Sequence, residues 1–280
     1  MREVGNPMRR KLSISAALCL WLLPVFAACA ADPSSLTWRA HKPGLEVGEQ
    51  TVPGSLRILR IDPALWEFSL HMASEQGGPL SLGEWARRQG LEAGINASMY
   101  LPDNKTSIGY MRGPGHVNNS RKGGRLGAFF AAEPESAASP GIPAAAIYER
   151  ETPDLEQRLS AYSVVVQNYR LIDGSGKILW ASGGPLHSIA AVAEDASGRI
   201  LFILAADPMP SADFAALLQR SNLSLKAVMY VEGGMQAGIF LRENGPDAPA
   251  TVWRGRQPLL KLEGDVPLPN ILGIRPRKTK

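Results

Sequence analysis

The stretch AVMYVEGGMQAGIF, residues 227–240, interrupts an apolar run with a carboxylate and two glycines. The apolar and β-branched residues before Glu232 predict a buried strand, and AGIF resumes the pattern. Gly233 and Gly234 permit an irregular backbone and the close approach of a ligand. The stretch predicts a strand that ends in an acid at the edge of a sheet. On its residues alone, the favoured interpretation of Glu232 is a strand-end carboxylate beside a hairpin turn.

Outward from this stretch, short β-branched or aromatic runs alternate with Gly, Pro and Asp. Residues 55–62 and 66–73 flank an Asp-Pro turn and predict a meander, and DGSGK (173–177) predicts a hairpin turn after the run 160–172. The runs HSIAAVAED and RILFILAAD flank Ala-Ser-Gly at 196–198, which predicts another hairpin.

Two helices are predicted between the strands. Ser81 and Glu84 have the spacing of a capping box before WARRQG, and Ser211 is placed to cap ADFAALLQR. The order of elements predicts an α+β fold, with a single domain built on a mixed, mainly antiparallel sheet and helices packed on it.

The first thirty residues have the pattern of a secretory signal. Arg9, Arg10 and Lys11 precede an apolar segment, 12–26, and small residues follow at 27–31. The sequence therefore predicts a signal peptide at 1–30, a folded domain at 31–280, and a periplasmic or secreted protein.

Cys29 leaves two readings of this segment open. VFAAC resembles the lipobox of bacterial lipoproteins, which would anchor the protein to a membrane through Cys29, whereas Ala-Cys-Ala is also an ordinary small-x-small cleavage site. Plain secretion is favoured, because Phe26 stands where a lipobox usually has Leu. The mass of the exported protein distinguishes a start near Ala30 from a diacylated Cys29.

Composition excludes several classes of protein. The net charge of +4 comes largely from the predicted signal and from a short basic tail, so no basic face for nucleic acid is expected. Cys19 and Cys29, the two cysteines, both lie in the predicted signal, so no disulfide or thiolate metal site is expected. Four scattered histidines and the absence of G-x-S-x-G, Walker and H-E-x-x-H motifs predict neither a metal nor a cofactor.

An ordered set of segments resembles the phosphodiester glycosidase family, and most closely its bacterial branch, the DUF2233 proteins. The segments are INASMYLPD, GHVNNSRKGGRLGAFFAAEP, YSVVVQNYRLIDGSGK, HSIAAVAEDASGRILFILAAD and ALLQRSNLSLKAVMYVEGG, between residues 95 and 234. The resemblance implies an enzyme that cleaves a sugar from a phosphodiester, and a carbohydrate or glycosyl-phosphate substrate.

The resemblance also implies six substrate-binding residues: Asn96, Tyr100, Gln167, Ser188, Gly233 and Gly234. Asn96 and Tyr100 hold the places of the family's early Asn and aromatic residue, and Gln167 holds its mid-chain Gln. Ser188 follows the place of a family Arg, which is His187 in this chain. The Gly-Pro that follows the family Gln is absent. Asn96, Gln167, His187 and Glu232 are expected to converge on one cleft.

The implied catalytic residues are Glu232, His187 and Asp207. Glu232, Gly233 and Gly234 replace the family's Asp-Gly-Gly, and its closing serines are absent. A carboxyl group is needed at the anomeric carbon, and donors or a cation are needed for the departing phosphate. His187 helps there only when protonated, so activity is expected to rise as pH falls from about 8 to about 6. Other cations that could serve are Arg121, Arg125 and Arg170.

Two functions follow from this pattern. The first is an exported hydrolase of glycosyl phosphodiesters or related envelope glycans, favoured by Glu232 and Gln167. The second is a non-catalytic glycan-binding or polysaccharide-export accessory protein, favoured by His187 in place of Arg and by the missing serines. A periplasmic solute-binding protein is disfavoured, since the sequence does not predict two doubly wound lobes.

Overall fold

The structure is a computed structural model that describes residue 1 and residues 35–51, 53–135, 141–243, 245, 248–256 and 266–278. All the secondary structure described lies in one compact unit, Asp32–Lys280. The predicted signal, with Cys19 and Cys29, lies outside the described residues, apart from Met1.

The described chain is rich in strands and has four short helices. The strands are β1 (Thr37–Lys42), β2 (Leu45–Gln50), β3 (Leu56–Ile61), β4 (Trp66–Met72), β5 (Ala93–Asn96), β6 (Met111–Gly113), β7 (His116–Asn119), β8 (Ala128–Pro134), β9 (Ala145–Glu149), β10 (Tyr162–Asn168), β11 (Arg170–Ile172), β12 (His187–Asp195), β13 (Ile200–Met209), β14 (Leu225–Gly233), β15 (Gly238–Leu241), β16 (Thr251–Arg254) and β17 (Asn270–Pro276). The helices are α1 (Ala73–Gln76), α2 (Leu82–Gln89), α3 (Leu155–Ser160) and α4 (Ser211–Arg220), and a 3₁₀ turn spans Gly234–Gln236.

The strands form three sheets. Sheet I has the order β1-β2-β3-β13-β12-β14-β11, sheet II the order β7-β6-β10-β8-β9, and sheet III the order β16-β15-β5-β17-β4. The pairings described between these strands are antiparallel. The α+β class predicted from the sequence is confirmed, with the strands divided among three sheets instead of one.

One central core is shared by all three sheets. Phe68 on β4, Phe130 on β8 and Phe202 on β13 are buried there, and each comes from a different sheet. The ring centroids of Phe68 and Phe130 are 5.4 Å apart, and those of Phe68 and Phe202 are 6.1 Å apart, both edge to face. Such pairs are favourable beyond the apolar area that they bury. The three sheets therefore meet at these rings.

A helix covers the outer face of each sheet. Phe214 and Leu218 of α4 pack on sheet I, Leu82 and Trp85 of α2 pack on sheet III, and Leu159 of α3 packs on sheet II. Strands with a core on both faces are expected to be continuously apolar. This explains why RILFILAA and YSVVVQ show little alternation.

The two predicted helix caps have different outcomes. The capping box of Ser81 and Glu84 is present at α2, as predicted. The prediction for α4 is wrong, because Pro210 occupies the cap position in an extended conformation and Ser211 is the first helical residue. The Ser211 hydroxyl lies near the His187 ring instead.

The predicted hairpins and meander also have different outcomes. The β12–β13 hairpin around 196–198 is confirmed by its pairing, and Gly176 N–H donates to Asp173 O in the predicted DGSGK turn. The meander predicted for 55–62 and 66–73 is wrong. β3 pairs with β2 and β13 in sheet I, whereas β4 pairs with β17 in sheet III. The Asp-Pro turn between them therefore carries the chain from one sheet to another.

The opening stretch, residues 227–240, is a second such crossing. β14 belongs to sheet I and β15 to sheet III, and the 3₁₀ turn Gly234–Gln236 joins them. The strand does not continue after the glycines because the chain leaves one sheet there and enters another.

Replacement of Phe68 by Ala is expected to cost about 3–5 kcal/mol in the free energy of unfolding, because it leaves a cavity where three sheets meet. Urea unfolding measures this cost. The matched control is Leu186→Ala at a side chain that is 61% exposed, where a change below about 0.5 kcal/mol is expected. Equal losses in the two variants would contradict the shared core.

Candidate functional site

A β-bulge near the end of β14 sets the direction of Glu232. Ala191 of β12 pairs with Tyr230, but Ala190 pairs with Glu232, so Val231 is an extra residue on β14. Paired residues share a face of the sheet, and Ala190 belongs to the central core. The bulge therefore brings Glu232 to the face opposite to that of Tyr230, where simple alternation would not have placed it.

The two glycines after Glu232 serve different purposes. A Cβ on Gly233 would lie 2.4 Å from the Tyr230 hydroxyl and 2.6 Å from the His187 ring, so only glycine allows both groups to approach the backbone. Gly234 has a φ of 68°, a left-handed conformation that starts the 3₁₀ turn. Together they bring His187 and Tyr230 against the backbone next to Glu232.

The Glu232 side chain is buried, with 8% of its residue surface exposed. Burial raises the pKa of this carboxyl to about 7, although the Gly233 N–H, which donates to Oε1 at 2.9 Å, acts in the opposite direction. A carboxyl group with such a pKa exchanges a proton near neutral pH, as a general acid or base must.

Two tyrosines accompany the carboxyl group. Burial, and then the charge of Glu232, raise the pKa of Tyr100, and the hydrogen bond with the Gln236 side chain opposes this rise. Burial and the Glu232 charge raise the pKa of Tyr230 as well. Both phenols therefore keep their protons at neutral pH and can donate hydrogen bonds to an anion.

His187 is held from two sides. Its Nδ1 lies 3.1 Å from the Pro185 carbonyl oxygen, which can only accept, so Nδ1 carries a proton. Its Nε2 lies 3.4 Å from the Ser211 hydroxyl, which donates to it when the ring is neutral. The ring centroid is 6.4 Å from that of Tyr230. The structure thus brings together His187, Gly233 and Tyr230, beside Glu232.

Asn168 is a further residue at this place, and the sequence analysis missed it. It is fully buried, and its Nδ2 donates to the carbonyl oxygen of Val231, the extra residue of the bulge, at 2.9 Å. Its Oδ1 accepts from Tyr169 N–H. The sequence did contain a signal for Asn168: it is a polar residue in an apolar strand, next to the predicted site residue Gln167. Asn168 supports the bulge that orients Glu232.

Asn96 and Ser188 are buried beside this region. Asn96 Oδ1 accepts from Gly238 N–H at 3.2 Å, just after the 3₁₀ turn, while its buried Nδ2 has no partner among the described residues. The Ser188 hydroxyl lies 2.7 Å from the carbonyl oxygens of both Ala206 and Arg256. Ser188 therefore joins β12 to β13 and to the segment after β16.

None of the hydrogen-bond partners described for the Gln167 side chain belongs to Glu232, Tyr100, Tyr230 or His187, which we call the Glu232 group. Its Oε1 accepts from Tyr110 N–H and Gly123 N–H, and its Nε2 donates to the carbonyl oxygens of Gly123 and Leu126. These bonds use the whole amide to hold the segment 123–126. Gln167 and Asn168 are consecutive on β10, so their side chains lie on opposite faces of sheet II.

Asp207, the second carboxylate predicted from the sequence, is engaged elsewhere. One oxygen accepts from Ser55 Oγ at 2.7 Å and the other from Arg256 at 2.9 Å, in a partly exposed ion pair. Of the arginines considered as phosphate ligands, Arg170 is paired with Glu149 and Glu151.

The described residues give no metal-binding cluster, since no three His, Cys, Asp or Glu side chains are grouped around a common point. Within the same ranges, no helix is both long and apolar enough to cross a bilayer.

The fold and the site together define an α+β protein whose candidate site centres on one buried carboxyl group. The family model for phosphodiester glycosidase matches residues 89–275, more than half of the chain. The chain therefore belongs to the phosphodiester glycosidase family, as its motifs indicated. No curated protein matches it significantly.

Solved structures share the fold. The catalytic domain of zebrafish N-acetylglucosamine-1-phosphodiester alpha-N-acetylglucosaminidase, auto-inhibited by its pro-peptide, aligns with a TM-score of 0.60 at 12% identity, over 86% of this chain and 82% of that one. A hypothetical protein from Synechocystis aligns with a TM-score of 0.57 at 13% identity, over 86% of this chain and 64% of that one. At such identities the likeness concerns the fold.

Glu232→Gln is expected to stabilise the protein at high pH. The folded-state pKa of about 7 lies above the ordinary value of 4.5, so the folded state binds the proton more tightly and the stability of the wild type falls as pH rises through this range. Glutamine keeps an acceptor for Gly233 N–H without the charge. The variant should gain up to about 3 kcal/mol at pH 8.

Urea unfolding at about pH 4 and about pH 8 tests this expectation. At the lower pH most of the advantage should disappear, because Glu232 is then largely protonated in the folded and the unfolded chain. The same difference between variant and wild type at both pH values would show that burial of the charge is not its cause.

Proposed function

We propose that this protein hydrolyses glycosyl phosphodiesters, with Glu232 as the catalytic carboxyl group. The observation that carries the proposal is the buried Glu232, turned by a bulge, whose charge acts on Tyr100 and Tyr230 and whose neighbour Gly233 is packed against Tyr230 and His187. Family membership supplies the reaction class, and the zebrafish enzyme with the same fold is itself a sugar-phosphodiester glycosidase by name. The predicted signal favours action in the cell envelope.

The chemistry favours the ionised form of Glu232. In this reaction the bond between the anomeric carbon and the phosphate oxygen breaks, and water supplies the new oxygen. A phosphate monoester is a stable anion near neutral pH, since its second pKa is about 6, so protonation of the leaving group contributes little. The demanding step is the attack of water on a carbon that becomes positive. A carboxylate can accept the water proton or stabilise that positive charge.

The departing phosphate needs hydrogen-bond donors. Tyr100 and Tyr230 keep their phenolic protons, because burial and the neighbouring carboxylate raise the pKa of each. His187 adds a third polar group in place of the family Arg, without the two parallel bonds that an Arg provides. We assign these three side chains to phosphate stabilisation. Asp207 is assigned to holding Arg256, because both of its oxygens are already hydrogen bonded.

Glu232→Gln is expected to lower hydrolysis by at least about 100-fold, the usual contribution of a general base. The assay follows release of free sugar from a panel of hexose-1-phosphate aryl esters and nucleoside diphosphate sugars. The matched control is Glu156→Gln, the same change at a side chain that is 73% exposed on α3, and it should keep wild-type activity.

Two outcomes would replace the proposal. Wild-type rates in Glu232→Gln would remove Glu232 from catalysis. Binding of the panel sugars without cleavage of any of them would favour the glycan-binding accessory protein. The missing serines support this alternative, and so does Asp207, because both of its oxygens are bonded to other side chains.

The pH profile is expected to rise with pH. With a pKa of about 7, Glu232 is mostly protonated at pH 6 and mostly ionised at pH 8, so kcat/KM should increase about tenfold over that interval. This direction is opposite to the one expected from His187 alone. A profile that falls over the same interval would assign the essential proton to His187 or would make Glu232 a general acid. The His187→Asn variant separates these two cases. If the essential proton belongs to His187, the variant loses the pH dependence, and if Glu232 is a general acid, the variant keeps it.

A further inference from the structure

A cavity of about 430 Å³ has in its wall Trp180, which stacks on Tyr230, and it takes no part in the proposed reaction. This volume is within the range of about 300–1,000 Å³ that is usual for small-ligand sites. Its wall includes three arginines, Arg125, Arg150 and Arg170, one carboxylate, Glu151, and two aromatic side chains, Tyr169 and Trp180. We call it the arginine cavity.

The arginines are unequally neutralised. Arg170 forms ion pairs with Glu149 and Glu151, at 2.8 Å and 2.9 Å. Arg150 donates to the carbonyl oxygens of Gly123 and Leu126, and no carboxylate within the described ranges pairs with it. Arg125 is exposed and has no ion-pair partner in that part of the chain. Two guanidinium charges on the wall are therefore available to an anion.

The aromatic part of the wall is fixed in place. The Trp180 ring stacks on Tyr230 with centroids 5.4 Å apart, and it meets Tyr169 edge to face at 5.8 Å. The indole N–H donates to the Arg170 carbonyl oxygen at 3.0 Å. Leu179, which is 38% exposed, extends this apolar surface. A ligand therefore meets a rigid apolar surface as well as cations in this wall.

Gln167 and Arg150 together hold the segment that carries Arg125. Both donate to the carbonyl oxygens of Gly123 and Leu126, and Gln167 also accepts from Gly123 N–H. Side-chain bonds at both ends of a short segment limit its movement. This gives Gln167, which the sequence analysis expected to bind substrate, the role of a positioning residue for the cavity.

Tyr230 connects the cavity to the Glu232 group. One face of its ring stacks on Trp180, while its hydroxyl lies next to Gly233. We propose that the arginine cavity binds an anionic sugar unit of the substrate, with the sugar ring against Trp180 and its phosphate or carboxylate at Arg125 and Arg150. That this sugar unit belongs to the substrate rests on the proposed function, whereas its binding in the cavity does not.

Calorimetry on Glu232→Gln tests the binding without hydrolysis. The probes are glucose 6-phosphate, glucose and inorganic phosphate. Glucose 6-phosphate should bind at least about tenfold more tightly than either of the others, because only it reaches both parts of the wall, and its affinity should fall with added salt. Adding Arg125→Ala should weaken it about tenfold or more.

Arg88→Ala is the matched control, since Arg88 is also an exposed arginine but lies on α2 and does not line the cavity. It should change the affinity by less than about twofold. Trp180→Ala should weaken glucose 6-phosphate and leave inorganic phosphate unchanged, which separates the aromatic contribution from the charges.

Three results would overturn the proposal. They are equal effects of Arg125→Ala and Arg88→Ala, equal affinities for glucose and glucose 6-phosphate, and tighter binding of adenosine monophosphate than of glucose 6-phosphate, which would indicate a nucleotide site. A protein that binds glucose 6-phosphate as expected but cleaves nothing in the hydrolysis panel would keep the cavity and lose the proposed function. The two failures are therefore distinct.

Discussion

The contact of Phe68, Phe130 and Phe202 is the constraint on which the rest of the structure depends. Each ring comes from a different sheet, so the three sheets cannot separate without exposing this core. Helices pack on the outer faces of the three sheets, and strands such as β10 and β13 are consequently apolar on both faces. Neighbouring segments of the chain then cross between sheets, as they do at the Asp-Pro turn and at the 3₁₀ turn Gly234–Gln236.

The candidate site is built at such a crossing. The chain leaves sheet I after β14 and enters sheet III at β15, and the backbone between them needs a bulge, a close approach and a left-handed residue. Two of these irregularities also affect the surroundings of Glu232. The bulge sets the face of the sheet on which Glu232 lies, and Gly233 allows Tyr230 and His187 to pack against the neighbouring backbone. Burial at the same place raises the pKa of the carboxyl to about 7. The residues that let the chain cross between the two sheets are therefore the same residues that orient the carboxyl group.

The consecutive residues Gln167 and Asn168 show how one strand serves two places. Asn168 holds the bulge through the Val231 carbonyl oxygen, whereas Gln167 holds the segment that carries Arg125. Because their side chains lie on opposite faces of β10, the strand fixes the Glu232 group and the arginine cavity relative to each other. Tyr230 and Trp180 form the second link between the two, through stacked rings.

The sequence by itself determined the features that depend on neighbouring residues: the apolar strands, the capping box at Ser81, the β12–β13 hairpin, and the ordered motifs that gave the family. The tertiary structure alone decided which sheet each strand joins, so the meander across the Asp-Pro turn was wrong. It also decided that Glu232 is on the face opposite to that of Tyr230 and that the Gln167 amide is used by the backbone. These outcomes depend on partners dozens of residues away in the chain, and local periodicity carries no information about which distant segments meet.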